Sequence, residues 1–183
     1  MLIFFLCLSV RAQMVGSTNR QSSAPAQRAG LSYGVSAVGS FEFNRGNEYL
    51  YYDHSIGLWG DLGYHLSQKL YFGGSLGLQY RDLPDSYISE YSNEQKMAFR
   101  LMAGVRYFFF NSASSLFADY RAGINVAGPL SKYGRSELGL GYIWNNNWEV
   151  AAGLENELWN ATDSFSELVK SRGFYVRLGY RFR

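Results

Sequence analysis

From residue 30 onward the chain alternates between apolar positions and positions that are polar or glycine, and this two-residue period limits its fold more than any other feature. The closing stretch GFYVRLGYRF is the cleanest instance. Phe174, Val176, Leu178, Tyr180 and Phe182 take one parity, and Tyr175, Arg177, Gly179 and Arg181 take the other. Successive side chains of an extended strand point to opposite faces, so the pattern describes a strand greasy on one side and charged on the other. A helix, with its period of 3.6, would scatter both sets around its circumference.

Seven more segments repeat the scheme. LSYGVSAVGSFEF sets Leu31, Tyr33, Val35, Ala37, Phe41 and Phe43 against Ser32, Gly34, Ser36, Ser40 and Glu42. HSIGLWGDLGY sets Ile56, Leu58, Leu62 and Tyr64 against Ser55, Gly57, Trp59, Asp61 and Gly63. KLYFGGSLGLQY and QKMAFRLMAGVRYFF come next, the latter with Lys96, Arg100, Gly104 and Arg106 on its polar side. LFADYRAGINV, RSELGLGYIW and WEVAAGLENEL complete the set, with Asp119, Arg121, Arg135, Glu137, Glu149, Glu155 and Glu157 on theirs. Eight strands in series, an even number, suit an all-β, antiparallel up-and-down barrel. Aromatic residues make up 17% of the chain, which fits strands, whose pleated surface accommodates rings.

The connections carry separate information. HLSQ, NSASS and NNN are short, while NRGNEYLYYD, RDLPDSYISEYSNE, AGPLSKYG and WNATDSFSELVKSRG are longer. Long and short are expected to alternate strictly, as in barrels with short turns at one membrane surface and long loops at the other.

Energetics decides which face meets lipid and which meets water. In a soluble carrier of the lipocalin kind the lumen is apolar and the outer wall polar. Here the charges Glu42, Asp61, Arg100, Arg106, Asp119, Arg121, Arg135, Glu137, Glu149, Glu155, Glu157, Arg177 and Arg181 fall on one parity, and the other is nearly free of charge. An arginine at the middle of a bilayer costs about 2–4 kcal/mol, so several facing lipid would exceed the whole stability of a domain. The charges are therefore expected inside and hydrocarbon outside. A closed barrel also satisfies every backbone polar group without a long apolar helix, which reconciles membrane residence with a mean hydropathy of −0.19.

Interior charges should neutralise one another. Mirroring the strands about the short turns places Arg106 opposite Asp119, Arg135 opposite Glu157 and Asp53 opposite Arg81, with Arg177 as a partner for Glu155. Inward glycines leave room for the arginines and rings. Tyr64, Phe72, Tyr107, Phe109, Tyr142, Trp144, Trp148 and Phe182 cluster at the ends that carry the short turns, where an interfacial girdle belongs.

The first residues, MLIFFLCLSVRAQ, hold an apolar run from Leu2 to Val10 and a Val-x-Ala site ending at Ala12. They read as a signal peptide over 1–12, lacking only the basic residues that usually precede the run. Residues 13–29 read as a flexible periplasmic lead-in and 30–183 as the barrel. Cleavage after Ala12 would remove Cys7, leaving no disulfide framework and no thiol chemistry.

The residues argue against catalysis. In Asp53-His54-Ser55, strand geometry points His54 away from its two neighbours, so no triad converges. Two histidines are thin material for a metal or general-base site, and no phosphate loop or dinucleotide fingerprint occurs. No cofactor and no metal are expected, and, since no Lys/Arg cluster marks the sequence, no nucleic-acid partner. Eight strands leave an interior that side chains fill, so no wide pore is expected. Tyr49, Tyr51, Tyr52, Tyr87 and Tyr91 fall in the longer connections, where they could anchor an extracellular partner or form an outer aromatic girdle.

The chain thus resembles the small eight-stranded outer-membrane barrels of the OmpA/OmpX type, in particular the "outer membrane protein beta-barrel domain" chains of Bacteroidetes-like bacteria. The resemblance runs from Gly30 to Arg183, and its most specific part is YVRLGYRF, which looks like the carboxy-terminal signal of outer-membrane barrels with Tyr180 and Phe182 at the alternating aromatic positions. Here Arg183 comes after the aromatic residue that usually ends the pattern. The resemblance implies location in the bacterial outer membrane with a periplasmic amino end. It implies contact with lipid and lipopolysaccharide, and insertion by the barrel-assembly machinery. The role it implies is structural or surface-interacting. The alternatives are a lipid A-modifying outer-membrane enzyme and a soluble carrier.

Overall fold

The computed structural model describes residues 28–45, 50–82, 97–127, 134–160 and 168–182. The signal peptide and most of the lead-in expected from the sequence lie outside these residues. The eight strands are β1 (Gly30–Arg45), β2 (Leu50–His65), β3 (Leu70–Asp82), β4 (Met97–Phe108), β5 (Ser115–Ala127), β6 (Gly134–Trp144), β7 (Trp148–Asn160) and β8 (Leu168–Phe182). Each pairs antiparallel with the next, and β8 returns to β1 with Phe182 against Tyr33 and Leu178 against Ala37. Closure leaves no strand edge in the wall, so its backbone donors and acceptors are met by neighbours.

Gly30 pairs with His65, so both chain ends of the barrel and the connections 66–69, 109–114 and 145–147 share one end, called the base here. Several strands run further than the sequence pattern indicates at the opposite rim. β1 reaches Arg45 and β2 begins at Leu50, so the first rim connection is 46–49, no longer than 66–69 at the base. The strict alternation of long and short connections is therefore corrected: apolar–polar alternation fades toward the rim, but backbone pairing continues. For the same reason Tyr51 and Tyr52 belong to β2 rather than to a loop. Tyr49, Tyr87 and Tyr91 lie outside the described residues.

The outer wall is apolar. Leu58 is 72% exposed and Leu31 69%, with Ile56, Leu138, Leu140, Phe174, Val176 and Leu178 also turned outward. On β8 the outward run from Phe174 to Phe182 covers about 26 Å at ~3.3 Å per residue, which a tilt of ~40° reduces to roughly 20 Å of height. Above it toward the rim, Ser136, Asn156 and Arg172 stand in register on β6, β7 and β8, and exposed His54 packs edge-on against Phe41 at 4.6 Å.

At the base the outer wall carries rings in contact. Tyr33 stacks on Phe182 at 5.5 Å, Phe182 meets Tyr180 edge-on at 5.1 Å, and Tyr180 meets Trp148 at 5.0 Å. Tyr107–Phe109 and Tyr142–Trp144 form two further edge-to-face pairs. The base turn 145–147 closes through two left-handed asparagines, Asn145 (φ 49°) and Asn146 (φ 59°), with the Asn147 N–H donating to the Trp144 carbonyl at 2.9 Å. Asparagine is among the few non-glycine residues that adopt this conformation readily.

Candidate functional site: the charged bore

The inward parity fills the barrel with ions. Asp61, Arg100, Arg106, Asp119, Arg121, Arg135, Glu137, Glu149, Glu155, Glu157, Arg177 and Arg181 are all buried, none more than 7% exposed. Glu42 lies in β1 with its backbone opposite Asp53; its side chain is outside what the structure describes.

Two carboxylates organise the middle. The Asp119 Oδ2 accepts from Arg106 Nη2 at 3.2 Å and from Arg177 Nη2, and lies 3.7 Å from Arg121 Nε. Glu149 accepts from Arg106 Nη1 at 2.5 Å and from Arg181 Nε at 2.7 Å, with Arg177 Nε 3.9 Å away. Asp61 forms a third centre on β2, accepting from Ser36 at 3.0 Å, Ser75 at 2.6 Å and Arg121 at 3.0 Å. Arg106–Glu149, Arg177–Asp119 and Arg121–Asp61 each join strands that are not neighbours in the wall, so these bonds cross the bore. A buried ion without a partner costs several kcal/mol, which accounts for each carboxylate collecting more than one donor.

Nearer the rim, Arg135 donates to Glu137 at 2.9 Å and to Glu155, and Arg100 and Asn125 donate to Glu157 at 3.1 and 3.2 Å. Gln79 bridges Ser40, at 3.1 Å, and Ser55.

Mirroring about the turns locates two pairs correctly: Arg106 stands opposite Asp119, and Arg135 opposite Glu157. Yet Arg135 bonds Glu137 and Glu155 rather than Glu157, because its long side chain leans along the bore. Two expectations are corrected. Glu155 stands opposite Gly173 and bonds Arg135, while Arg177 stands opposite Ala151 and bonds Asp119. Asp53 pairs with Glu42, and Arg81 with Ser55, two residues away from the expected register.

Beneath the ions lies a layer of inward rings. Phe117 lies under the Arg106 guanidinium at 3.9 Å and Tyr71 under Arg181 at 4.6 Å. Phe108 meets Phe117 edge-on at 5.8 Å, and His65 meets Tyr71 at 4.9 Å. His65 is the buried last residue of β2 rather than part of a turn. Two glycines beside these rings are required by closeness: a Cβ on Gly73, two residues along β3 from Tyr71, would overlap the Tyr71 ring, and one on Gly141, opposite Phe117, the Phe117 ring. Phe117 and Ile143 were legible as inward residues, since they share parity with neighbouring charges.

A cavity of about 10 Å³ beside Asp61, Tyr71, Arg106 and Arg121 holds at most about one water molecule. Chemically, the residues of the bore neutralise one another. Asp53, His54 and Ser55 do not assemble, since His54 is on the outer wall and Ser55 is buried in the bore. Among the described residues no group of three or more metal-ligating side chains gathers.

No protein-family model matches the chain, and no curated protein matches it. Solved structures do. The crystal structure of Neisserial surface protein A is similar at 13% identity, over 84% of this chain and 96% of that one, with a TM-score of 0.52. A de novo designed transmembrane β-barrel is similar over 87% of this chain and 100% of its own, at 13% identity and a TM-score of 0.47. Ail, the attachment invasion locus protein of Yersinia pestis, is similar over 85% of this chain and 100% of its own, at 16% identity and a TM-score of 0.47. The first of these likenesses shows the fold: this chain is a closed, eight-stranded antiparallel barrel.

Proposed function

We propose that the protein is an integral barrel of the bacterial outer membrane, its base in the periplasm, with a structural or surface-interaction role. The observation that carries the reading is the two-sided wall: buried, mutually bonded arginines and carboxylates within, and a continuous apolar belt without. A soluble carrier would reverse those faces. A belt of this extent on a protein of this size needs a covering phase, and the base girdle of tyrosine, tryptophan and phenylalanine suits a hydrocarbon–water boundary. Lipid and lipopolysaccharide contact the belt, the barrel-assembly machinery inserts the chain through the strand ending in Tyr180 and Phe182, and a partner outside the cell engages the rim. The family kinship is to OmpA/OmpX-type barrels.

The reading is non-enzymatic. His54 and Ser55 on opposite faces speak against a triad there, and the bore carboxylates are spent on arginines. Membrane fractionation with a heat-shift gel tests location: an outer-membrane band that migrates differently unheated is expected, and a soluble, unshifted band overturns it. Capture of a partner by the intact barrel, lost when the rim connections are trimmed, tests the surface role. A lipid A mass change abolished by one polar substitution would establish an enzyme instead.

A further inference from the structure

The residue that leads into the barrel is bound to the end it enters from. Arg28 precedes β1, yet it is only 4% exposed. Its guanidinium lies 4.0 Å over the ring of Phe108, the last residue of β4. Nε donates to the Asn146 side-chain oxygen at 2.9 Å, Nη1 to the Phe110 carbonyl at 3.2 Å and the Gln68 carbonyl at 3.5 Å, and Nη2 to the Ser112 carbonyl at 2.5 Å. The Arg28 backbone N–H donates to the Gln68 side chain at 3.1 Å.

The arrangement is specific. Gln68, Phe110 with Ser112, and Asn146 belong to three different base connections, and one side chain joins all three. Most of the acceptors are backbone carbonyls, the groups a tight turn leaves without partners. A planar guanidinium can serve several such acceptors at once while its face stacks on a ring; an ammonium cannot. Beside it lies a cavity of about 220 Å³ lined by Arg28, His65, Phe108, Ile143 and Arg181 among others.

We propose that Arg28 is the latch of the base: it gathers the three connections into one cap, and its release exposes the buried His65 to solvent while the rim half of the barrel is unchanged. Arg28, although it precedes β1, is then a working part of the closure.

The test uses the full chain in detergent micelles, where reagent reaches both ends. Arg28→Ala and Arg28→Lys are compared with the parent by diethylpyrocarbonate modification of His65, read by mass spectrometry, and by hydrogen exchange of all strands. In Arg28→Ala, which removes four side-chain hydrogen bonds, the His65 reaction and exchange in 109–114 should rise at least roughly tenfold, the factor that loss of even one hydrogen bond to a charged group supplies. Exchange in rim-half peptides should stay at the parent's level, and Arg28→Lys should restore less than half of the protection. Unchanged His65 reactivity overturns the latch, and so does a uniform rise across all strands, which would make Arg28 a general stability contact. Should Arg28→Ala give no heat-shifted band, Asn146→Gly, which removes one acceptor and keeps the turn, carries the same readout. A soluble chain would overturn the membrane reading without touching these outcomes, which concern the base alone.

Discussion

Asp119 and Glu149, on β5 and β7, share two arginines: Arg106 bonds both carboxylates, and Arg177 bonds Asp119 while lying 3.9 Å from Glu149. The four groups form a closed circuit across the bore, and the loss of any one leaves at least two others facing a missing charge.

Asp119→Asn is therefore expected to destabilise the barrel by about 3–5 kcal/mol, the cost of leaving buried arginines uncompensated. Glu149→Gln should act alike. Because the two sites share partners, the double variant should depart from the sum of the singles by more than about 0.5 kcal/mol. Urea unfolding in lipid vesicles, followed by tryptophan fluorescence, measures all three; additive or sub-kcal effects would show the circuit to be energetically idle.

The outer wall makes an opposite demand. Leu58, 72% exposed and midway along the outward run of β2, should cost about 2–4 kcal/mol when changed to arginine, while Ser136→Arg near the rim should cost about 0–1 kcal/mol. The same unfolding assay reads this depth dependence. Equal, small effects at both positions would mean that water, not lipid, covers the wall.

Packing in the bore predicts a rescue. Gly73→Ala places a methyl where the Tyr71 ring lies and should cost about 1–3 kcal/mol by overpacking. In a Tyr71→Ala background the same change should be close to neutral. A cost that persists without the ring would assign Gly73 a backbone role instead.

The base turn gives a local test. Asn145→Gly should be neutral or slightly stabilising, because glycine takes φ 49° without strain. Asn145→Val should cost about 1–2 kcal/mol for holding a branched residue in the left-handed region. Thermal migration shifts on unheated gels rank the two variants; equal shifts would show that the turn relaxes out of that conformation.

How far the sequence could be read differs from pair to pair. Arg106 and Asp119 face each other across one hairpin, so counting outward from NSASS located them. Arg135 was placed correctly opposite Glu157, yet its bonds go to Glu137 and Glu155, since an arginine reaches past its register neighbour. Asp53 and Arg81 were displaced by two residues because the register of β2 on β3 is held by the wall, and counting from a turn of uncertain length carries that error along the strand. Arg28 gave no signal at all: it lies in a polar stretch without periodicity, and most of its acceptors are backbone carbonyls, which every residue possesses.

By itself, the order of amino acids determined which side of each strand is greasy and which is charged, how many strands there are, and that only a closed wall with ions inside satisfies both. The reason is a two-residue period and the cost of charge in hydrocarbon, which are local properties. Which arginine meets which carboxylate was decided only by closure. Arg106 and Glu149 are 43 residues apart and Arg177 and Asp119 58 apart, and they meet because joining β8 to β1 brings strands that share no hairpin face to face across a bore one side chain deep.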